Sequence, residues 1–200
     1  MKRSLLVLIG VFLIVGLIVL IGFMASISTY NKMVTYEESV NKSWSDVENQ
    51  YQRRSDLIPN LVSTVKGYAN FEQQTLTQVI EARAKATSVN ISAENLNEQT
   101  LAQFQQAQDG LSSALSRLMV VVEQYPELKA NQNFLDLQAQ LEGTENRIAV
   151  ERRNFNDTTR EYNTYIRRFP ARIFAGFYGF KEKPYFKSVE GAEKAPEVKF

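Results

Sequence analysis

QRRSDLIPNLVSTVKGYANFE, residues 52–72, combines a helical spacing of apolar side chains with a proline near its start. Inside a helix, proline removes one backbone hydrogen bond, and its ring clashes with the preceding turn. Pro59 therefore marks either the corner where two helices meet or a kink in one long helix. The choice decides whether the chain can fold back on itself here. The apolar residues that share one helical face are Leu57, Ile58, Leu61, Val62, Val65 and Ala69.

The residues just before Pro59 favour the corner. Ser55 or Asp56 can cap a new helix, and Pro59 then falls in its first turn, where no backbone donor is required. The two arginines that precede Ser55 would end the previous helix, where positive charge is favourable. We therefore predict a corner at residues 54–58, with a continuous kinked helix as the alternative.

Apolar residues recur at spacings of three, four and seven in most of the chain, and no segment shows a sustained period of two. This pattern is typical of amphipathic helices rather than strands. We predict an all-α fold in which an N-terminal transmembrane helix is followed by an antiparallel up-and-down four-helix bundle with long helices. The stripes cover residues 30–51, 58–80, 101–122 and 134–169, within a domain at 30–180.

Two further breaks separate the stripes. The polar stretch 87–97 offers Ser92 or Asn97 as a helix N-cap, and Pro126 fits a helix start, where its missing donor costs nothing. We expect Phe169, the last residue of the fourth stripe, to lie in the core. The other predicted core residues near the corner are Trp44, Val47, Tyr51, Leu61 and Val65.

Residues 5–27 carry no charge and span roughly 35 Å as a helix, against a hydrocarbon core of roughly 30 Å. A cleaved signal peptide is the alternative, although its apolar region is usually only ~7 to 15 residues long. Lys2 and Arg3 precede the span, so the positive-inside rule predicts that residues 1–4 are cytoplasmic and the bundle is outside.

The composition argues against most catalytic sites. The 200 residues include no histidine and no cysteine, which removes the commonest general base and metal ligand, every Ser-His or Cys-His pair, and every thiolate metal site. A net charge of +1 gives no argument for nucleic acid. We therefore expect no catalytic residue, metal or cofactor, although an enzyme that uses carboxylates stays possible.

Several charged side chains stand close to the apolar stripes. Carboxylates from different helices can build a di-metal site in a bundle, but that design uses a Glu-x-x-His motif, which is absent here. We predict instead that two acids pair with arginines and fix the register of the helices. The predicted ion-pair network comprises Glu72, Arg83, Glu145, Arg147, Arg152 and Arg153.

The segment FPARIFAGFYGF, residues 169–180, is aromatic and flanked by cations. It can cap the end of the bundle, or it can contact membrane lipid or a neighbouring subunit, with aromatics anchored and cations over headgroups. The remaining residues, 187–200, are predicted to form a mobile tail. The candidate contact residues are Arg172, Phe174, Phe177, Phe180 and Lys181.

Charge is unevenly distributed along the chain. Residues 89–143 hold two basic and seven acidic side chains, a net of −5, whereas residues 144–183 hold nine basic and five acidic ones, a net of +4. Either these helices neutralise one another within one bundle, or they pair one subunit with the next. Complementary patches favour orientation and rate more than affinity.

After the N-terminal apolar span, five stretches follow in order: YNKMV (30–34), RRSDLIPNLVSTVKGYANFE (53–72), EARAKA (81–86), YPELKANQNFLDLQAQLEGTENRIAVERRNFND (125–157) and YNTYIRRFP (162–170). Together they resemble the LemA family of bacterial membrane proteins, in that family's order. The resemblance implies a single-pass membrane protein with a helical-bundle domain and no assigned chemistry. Some relatives are linked to magnetosome formation, which implies membrane-associated assembly by analogy.

Three functions compete. The first is a non-enzymatic scaffold at the outer face of the bacterial cytoplasmic membrane, which self-associates or docks other membrane proteins. The second is a ligand-sensing or adaptor bundle coupled to a partner membrane protein. The third is a carboxylate-based enzyme. The expected partners are the lipid bilayer, further copies of the chain and other membrane proteins, but not nucleic acid.

Overall fold

The computed structural model describes residues 2–67 and 72–187. These residues contain no strand, which confirms the all-α prediction. The predicted tail, residues 187–200, lies outside the described residues apart from Lys187. The helices are α1 (Lys2–Lys66), α2 (Gln73–Ser88), α3 (Glu98–Val122), α4 (Pro126–Lys129), α5 (Gln132–Arg167) and α6 (Ala171–Tyr178), with a 3₁₀ turn at Ala93–Asn95.

The predicted corner at residues 54–58 is wrong, because α1 continues through it to Lys66 with Pro59 inside the helix. Proline has no amide hydrogen to donate to the carbonyl of residue i−4, here Ser55. Arg83 of α2 supplies the missing donor, with its Nε 2.9 Å from the Ser55 carbonyl oxygen. The helix therefore tolerates the proline, and α2 begins only at Gln73.

The chain divides into two compact units. The first unit comprises residues 1–40 and 160–182, and the second comprises residues 41–159 and 183–200. Helices α1 and α5 each contribute residues to both units.

In the second unit, α1 runs antiparallel to α5 and parallel to α3. Helix α2 returns between α1 and α3, so the four helices alternate in direction as predicted for an up-and-down bundle. The contacts that set these directions are Trp44–Phe155 and Arg54–Glu145 for α1 and α5, and Trp44–Phe104 and Arg54–Ser112 for α1 and α3.

The core of the second unit is built from the predicted apolar stripes of all four long helices. Burial of each such side chain contributes about 1.5–3 kcal/mol to the hydrophobic stabilisation. Trp44, Val47 and Tyr51 are buried as predicted. The main cluster further along includes Ile58, Leu61, Val65, Leu76, Val79, Leu111, Leu118, Leu128, Phe134 and Leu141.

The loop before α3 confirms one predicted cap. The Asn97 side chain accepts hydrogen bonds from the backbone N–H groups of Gln99 and Thr100, and the Thr100 hydroxyl accepts one from the Asn97 backbone. This reciprocal capping box satisfies donors that the first helical turn leaves without partners. Pro126 is the first residue of α4, also as predicted.

The first unit contains the apolar part of α1, the end of α5 and α6. The large apolar side chains from Leu8 to Ile27 are exposed, whereas Met33 and Tyr162 are buried. The prediction that Phe169 lies in the core is wrong, since its side chain is 82% exposed. Helix α5 ends at Arg167, so residue 169 is no longer part of the helix and does not continue its buried face.

Candidate functional site

The most buried charge in the described residues is the guanidinium of Arg54, which is 2% exposed. It lies between α1, α3 and α5 and contacts the Tyr51 ring at 5.1 Å from the ring centroid. Its four hydrogen bonds are Nη1 to Glu145 Oε2 at 2.6 Å and Ser112 Oγ at 2.8 Å, and Nη2 to Gln108 Oε1 at 2.7 Å and the Gln108 carbonyl oxygen at 3.3 Å.

These bonds connect three helices through one side chain. A buried cation is strongly unfavourable unless it is paired and hydrogen-bonded, and here groups on α3 and α5 pair with the guanidinium of a residue on α1. The Nε atom of Arg54 has no hydrogen-bond partner among the described residues. A cavity of about 250 Å³ opens beside the Arg54–Glu145 pair, lined also by Ser112 and Met119.

Sequence reasoning missed Arg54, because it assigned the two arginines of the RRSD stretch to a helix end. The signal was present in the spacing. Arg54 continues the steps of three and four residues that connect Val47, Tyr51, Ile58 and Leu61. A charged residue at an inward position of an unbroken apolar stripe indicates a charge that is buried and paired in the core.

The residues of the predicted ion-pair network have diverse partners. Glu145 pairs with Arg54, which lies outside the predicted set. Arg83 donates to the Ser55 carbonyl oxygen. Glu72 stands at the N-cap of α2, where its Oε2 accepts a hydrogen bond from the Thr75 hydroxyl.

The three remaining arginines of that set lie on α5. The guanidinium of Arg152 stacks 4.6 Å from the centroid of the Phe186 ring and donates to the Lys187 carbonyl oxygen. Arg147 and Arg153 are exposed. A role of the whole set in fixing helix register stays a prediction.

In the first unit, α6 brings the predicted aromatic contact residues next to the end of the apolar segment. The Tyr178 hydroxyl is 2.8 Å from Ser26 Oγ, and the Tyr178 ring packs edge-on against Tyr30 at 4.9 Å. Phe180 packs against the same Tyr30 ring at 5.8 Å. Of the predicted residues, Phe174 and Phe180 are half-buried, while Arg172, Phe177 and Lys181 are exposed.

The local sequence explains where α6 ends. Gly179 adopts a left-handed conformation, with φ of 81°, that glycine accepts without steric cost. The backbone N–H groups of Gly179 and Phe180 both donate to the Ala175 carbonyl oxygen. The chain thereby turns back, which places Phe180 on Tyr30.

Among the residues that the structure describes, four groups have shifted pKa values, and burial is the main cause of each. Burial raises the pKa of the Glu48 carboxyl. Burial likewise raises the pKa of the hydroxyls of Tyr51, Tyr162 and Tyr165. Within residues 8–67 and 72–187, no cluster of three acidic, histidine or cysteine side chains could hold a metal ion.

An exposed apolar helical segment joined to a helical bundle defines a class of membrane-associated helical-bundle proteins. Helix α1 is long and apolar enough to cross a membrane, with a mean hydropathy of 3.0 in its apolar window. The family model that matches residues 43–200 is that of the LemA family, and the chain belongs to this family.

Several curated relatives are similar to the chain. It is 28% identical over 171 residues to magnetosome protein MamQ 2 of Paramagnetospirillum magneticum, a match that covers 77% of this chain and 63% of that protein. It is 29% identical to magnetosome protein MamQ of Magnetospirillum gryphiswaldense, covering 76% and 62%. Protein LemA of Metamycoplasma hominis is 23% identical, with 66% and 57% covered. The chain thus spans less than two thirds of the length of these relatives.

Proposed function

We propose that the protein is a non-enzymatic, membrane-anchored helical scaffold of a bacterial cytoplasmic membrane, which self-associates or docks other membrane proteins. The observation that carries the proposal is that α1 contains both the exposed apolar segment and part of the bundle core. Its residues from Leu8 to Ile27 expose apolar side chains, and the same helix later supplies Trp44 and Leu61 to the core of the second unit. The helix that carries the bilayer-suited segment is therefore also one of the helices of the bundle.

The exposed apolar side chains require a lipid environment, since water around a continuous sleeve of them is strongly unfavourable. Lys2 and Arg3 at its start support an orientation with the N-terminus in the cytoplasm and the bundle outside. The similarity to magnetosome proteins supports a role in membrane-associated assembly.

The charge distribution supports contact between copies of the chain. The acidic side chains Asp109 and Glu127 are exposed on α3 and α4, whereas Arg147 and Arg153 are exposed on α5. Complementary charged faces steer association and fix its orientation. In a membrane, the shared anchor also raises the local concentration of the partners.

Cysteine cross-linking of the full chain in nanodiscs tests self-association, because the natural sequence has no cysteine. We expect Gly110→Cys and Asn154→Cys chains, mixed, to give heterodimers at low salt and fewer at high salt, because both exposed positions leave the neighbouring charges of Asp109 and Arg153 in place. Native mass spectrometry of the unmodified chain should show assemblies larger than one copy. A monomer at every concentration would contradict self-association, and mild-detergent affinity purification would then test docking of other proteins.

A ligand-sensing or adaptor bundle is the second candidate, and the cavity beside Arg54 favours it. Its volume of about 250 Å³ approaches the range of small-molecule sites, and its lining combines apolar side chains with the paired Arg54 and the carboxylates of Glu142 and Glu145. Small amines, which a carboxylate can pair with, should then raise the melting temperature of the native chain but not that of Glu142→Gln. Equal melting curves of the native chain with and without amines would contradict this candidate.

A further inference from the structure

Helix α6 carries apolar residues on two opposite faces. Ala171 and Ala175 are buried. Ile173 and Phe177, one turn apart on the opposite side, are 61% and 82% exposed. A helix on the surface of a protein in water would place polar side chains there. We call Ile173 and Phe177 the outer face of α6.

The position of α6 indicates what covers that face. The Ser26–Tyr178 hydrogen bond and the packing of Tyr178 and Phe180 on Tyr30 attach α6 to the last turns of the apolar segment. The apolar run of α1 ends at residue 27, and the first charged residue after it is Lys32. When this run crosses the hydrocarbon core, its end lies at the boundary between acyl chains and headgroups, and α6 lies there with it.

The charges around the outer face are those of a lipid-binding surface. Residues 167–181 carry four cations and no acid. One of them, Arg167, has the Glu182 carboxylate at 3.8 Å. The others are exposed and can contact lipid phosphates, and they are Arg168, Arg172 and Lys181.

We propose that α6 is an interfacial helix that inserts its outer face into the leaflet on the bundle side, with these three cations on anionic headgroups. Helices that lie in the membrane interface combine large apolar side chains with Lys and Arg in this way. A second copy of the chain is the competing occupant. An eight-residue helix offers much less area than a stable protein interface buries, whereas the lipid surface is already continuous with the apolar segment.

The absence of cysteine makes the test direct, since single cysteines can carry a nitroxide label without background. The variants are Phe177→Cys and Ile173→Cys, with Val120→Cys as the matched control on an exposed apolar position of α3. The full chain is reconstituted in vesicles of phosphatidylcholine and phosphatidylglycerol. Collision rates with oxygen, which partitions into lipid, and with a water-soluble nickel chelate report the depth of each label.

We expect the ratio of oxygen to nickel collisions at positions 173 and 177 to be several-fold higher than at position 120. Equal ratios at 177 and 120 would show that the outer face is in water and would overturn the proposal. Exclusion of both reagents from 173 and 177 would show a protein contact, a second copy of the chain, and would also overturn it. This proposal rests on the membrane anchoring of the proposed function, but a second copy at α6 would leave that function standing and only the lipid contact would be wrong.

A second arm isolates the cations. In vesicles of phosphatidylcholine alone, we expect the ratio at position 173 to fall towards the value at the control position. Replacing Arg168, Arg172 and Lys181 with glutamine should abolish the difference between the two lipid mixtures. If the ratio at 173 is the same in both mixtures for the native charges, the assignment of these cations to anionic headgroups is wrong.

Discussion

Arg83 donates the hydrogen bond to the Ser55 carbonyl that Pro59 cannot donate. Its Nε lies 2.9 Å from the Ser55 carbonyl oxygen, the acceptor that Pro59 leaves without a donor. A buried carbonyl without a partner costs about 1–3 kcal/mol. One side chain on α2 thus stabilises an irregular point of α1, and the two helices are linked through it.

A double-mutant cycle measures this link. Arg83→Ala should lower the free energy of unfolding by about 1–3 kcal/mol, because the Ser55 carbonyl is left unpaired. In a Pro59→Ala background, the new amide of residue 59 can donate to Ser55, so Arg83→Ala should cost less. Urea denaturation in mild detergent, followed by Trp44 fluorescence, gives both values. Equal costs of Arg83→Ala in the two backgrounds would disprove the link.

The Arg54–Glu145 pair makes a second prediction. Glu145→Ala removes the charged partner of a buried guanidinium, so it should cost about 1–3 kcal/mol although Glu145 itself is about half exposed. Glu142→Ala, one turn away on the same cavity wall, is the control and should change stability by no more than about 0.5 kcal/mol. Similar costs for both variants would mean that Arg54 does not depend on the ion pair.

The apolar stripes made most of the fold predictable, because helical periodicity depends only on which face must be buried. The stripes of α3 and α5, the core position of Trp44 and the Asn97 cap all followed from the sequence. The corner at residues 54–58 did not, because Pro59 is compatible with either a helix start or a helix interior. Tertiary contacts distinguish the two, among them the hydrogen bond from Arg83, distant in sequence, to the Ser55 carbonyl oxygen.

The wrong prediction for Phe169 has a different cause. A strict seven-residue spacing leads from Phe155 through Tyr162 to Phe169, but the spacing does not reveal that the helix ends at Arg167. The neighbour of the outer face of α6 was also left open by the sequence, because the same residue types can cap a bundle or contact lipid. Periodicity identifies faces, whereas the end of a helix and the neighbour of a face depend on tertiary contacts.

Trp44 should be among the most sensitive core positions. Its ring packs edge-on against Phe104 and Phe155 at 5.4 and 5.6 Å, and its indole Nε1 donates to the Ile91 carbonyl oxygen at 3.1 Å. Trp44→Ala should cost roughly 3–5 kcal/mol. Because this variant loses the fluorophore, unfolding is followed by circular dichroism. A cost below about 1 kcal/mol would contradict a core role, since exposed positions show values of that size.

Glu48 should make stability depend on pH in the opposite sense to an ordinary ion-paired acid. Burial raises the pKa of its carboxyl, so the folded state holds this proton more tightly than the unfolded state does. Its contribution is fully present below the ordinary pKa of 4.5 and is lost as the pH rises through the folded-state value. Glu48→Gln should therefore gain stability over the native chain as the pH increases from 4 to 8. A constant difference in unfolding free energy across that range would contradict the shift.

Two glycines at the end of α6 should respond to alanine with opposite signs. Gly179 has φ of 81°, so Gly179→Ala forces an alanine into a left-handed conformation at a cost of roughly 1–2 kcal/mol, although no atom stands in the way of the new methyl group. Gly176 lies inside α6 with open space around it, so Gly176→Ala should stabilise the helix by about 0.5–1 kcal/mol.

Hydrogen exchange of the full chain in nanodiscs measures both effects at the amides of α6. A loss of one to two kcal/mol corresponds to about five- to thirtyfold faster exchange in Gly179→Ala, whereas Gly176→Ala should slow it. Faster exchange in both variants would mean that α6 requires both glycines for its packing, and slower exchange in both would contradict the role of Gly179 as the residue that ends the helix.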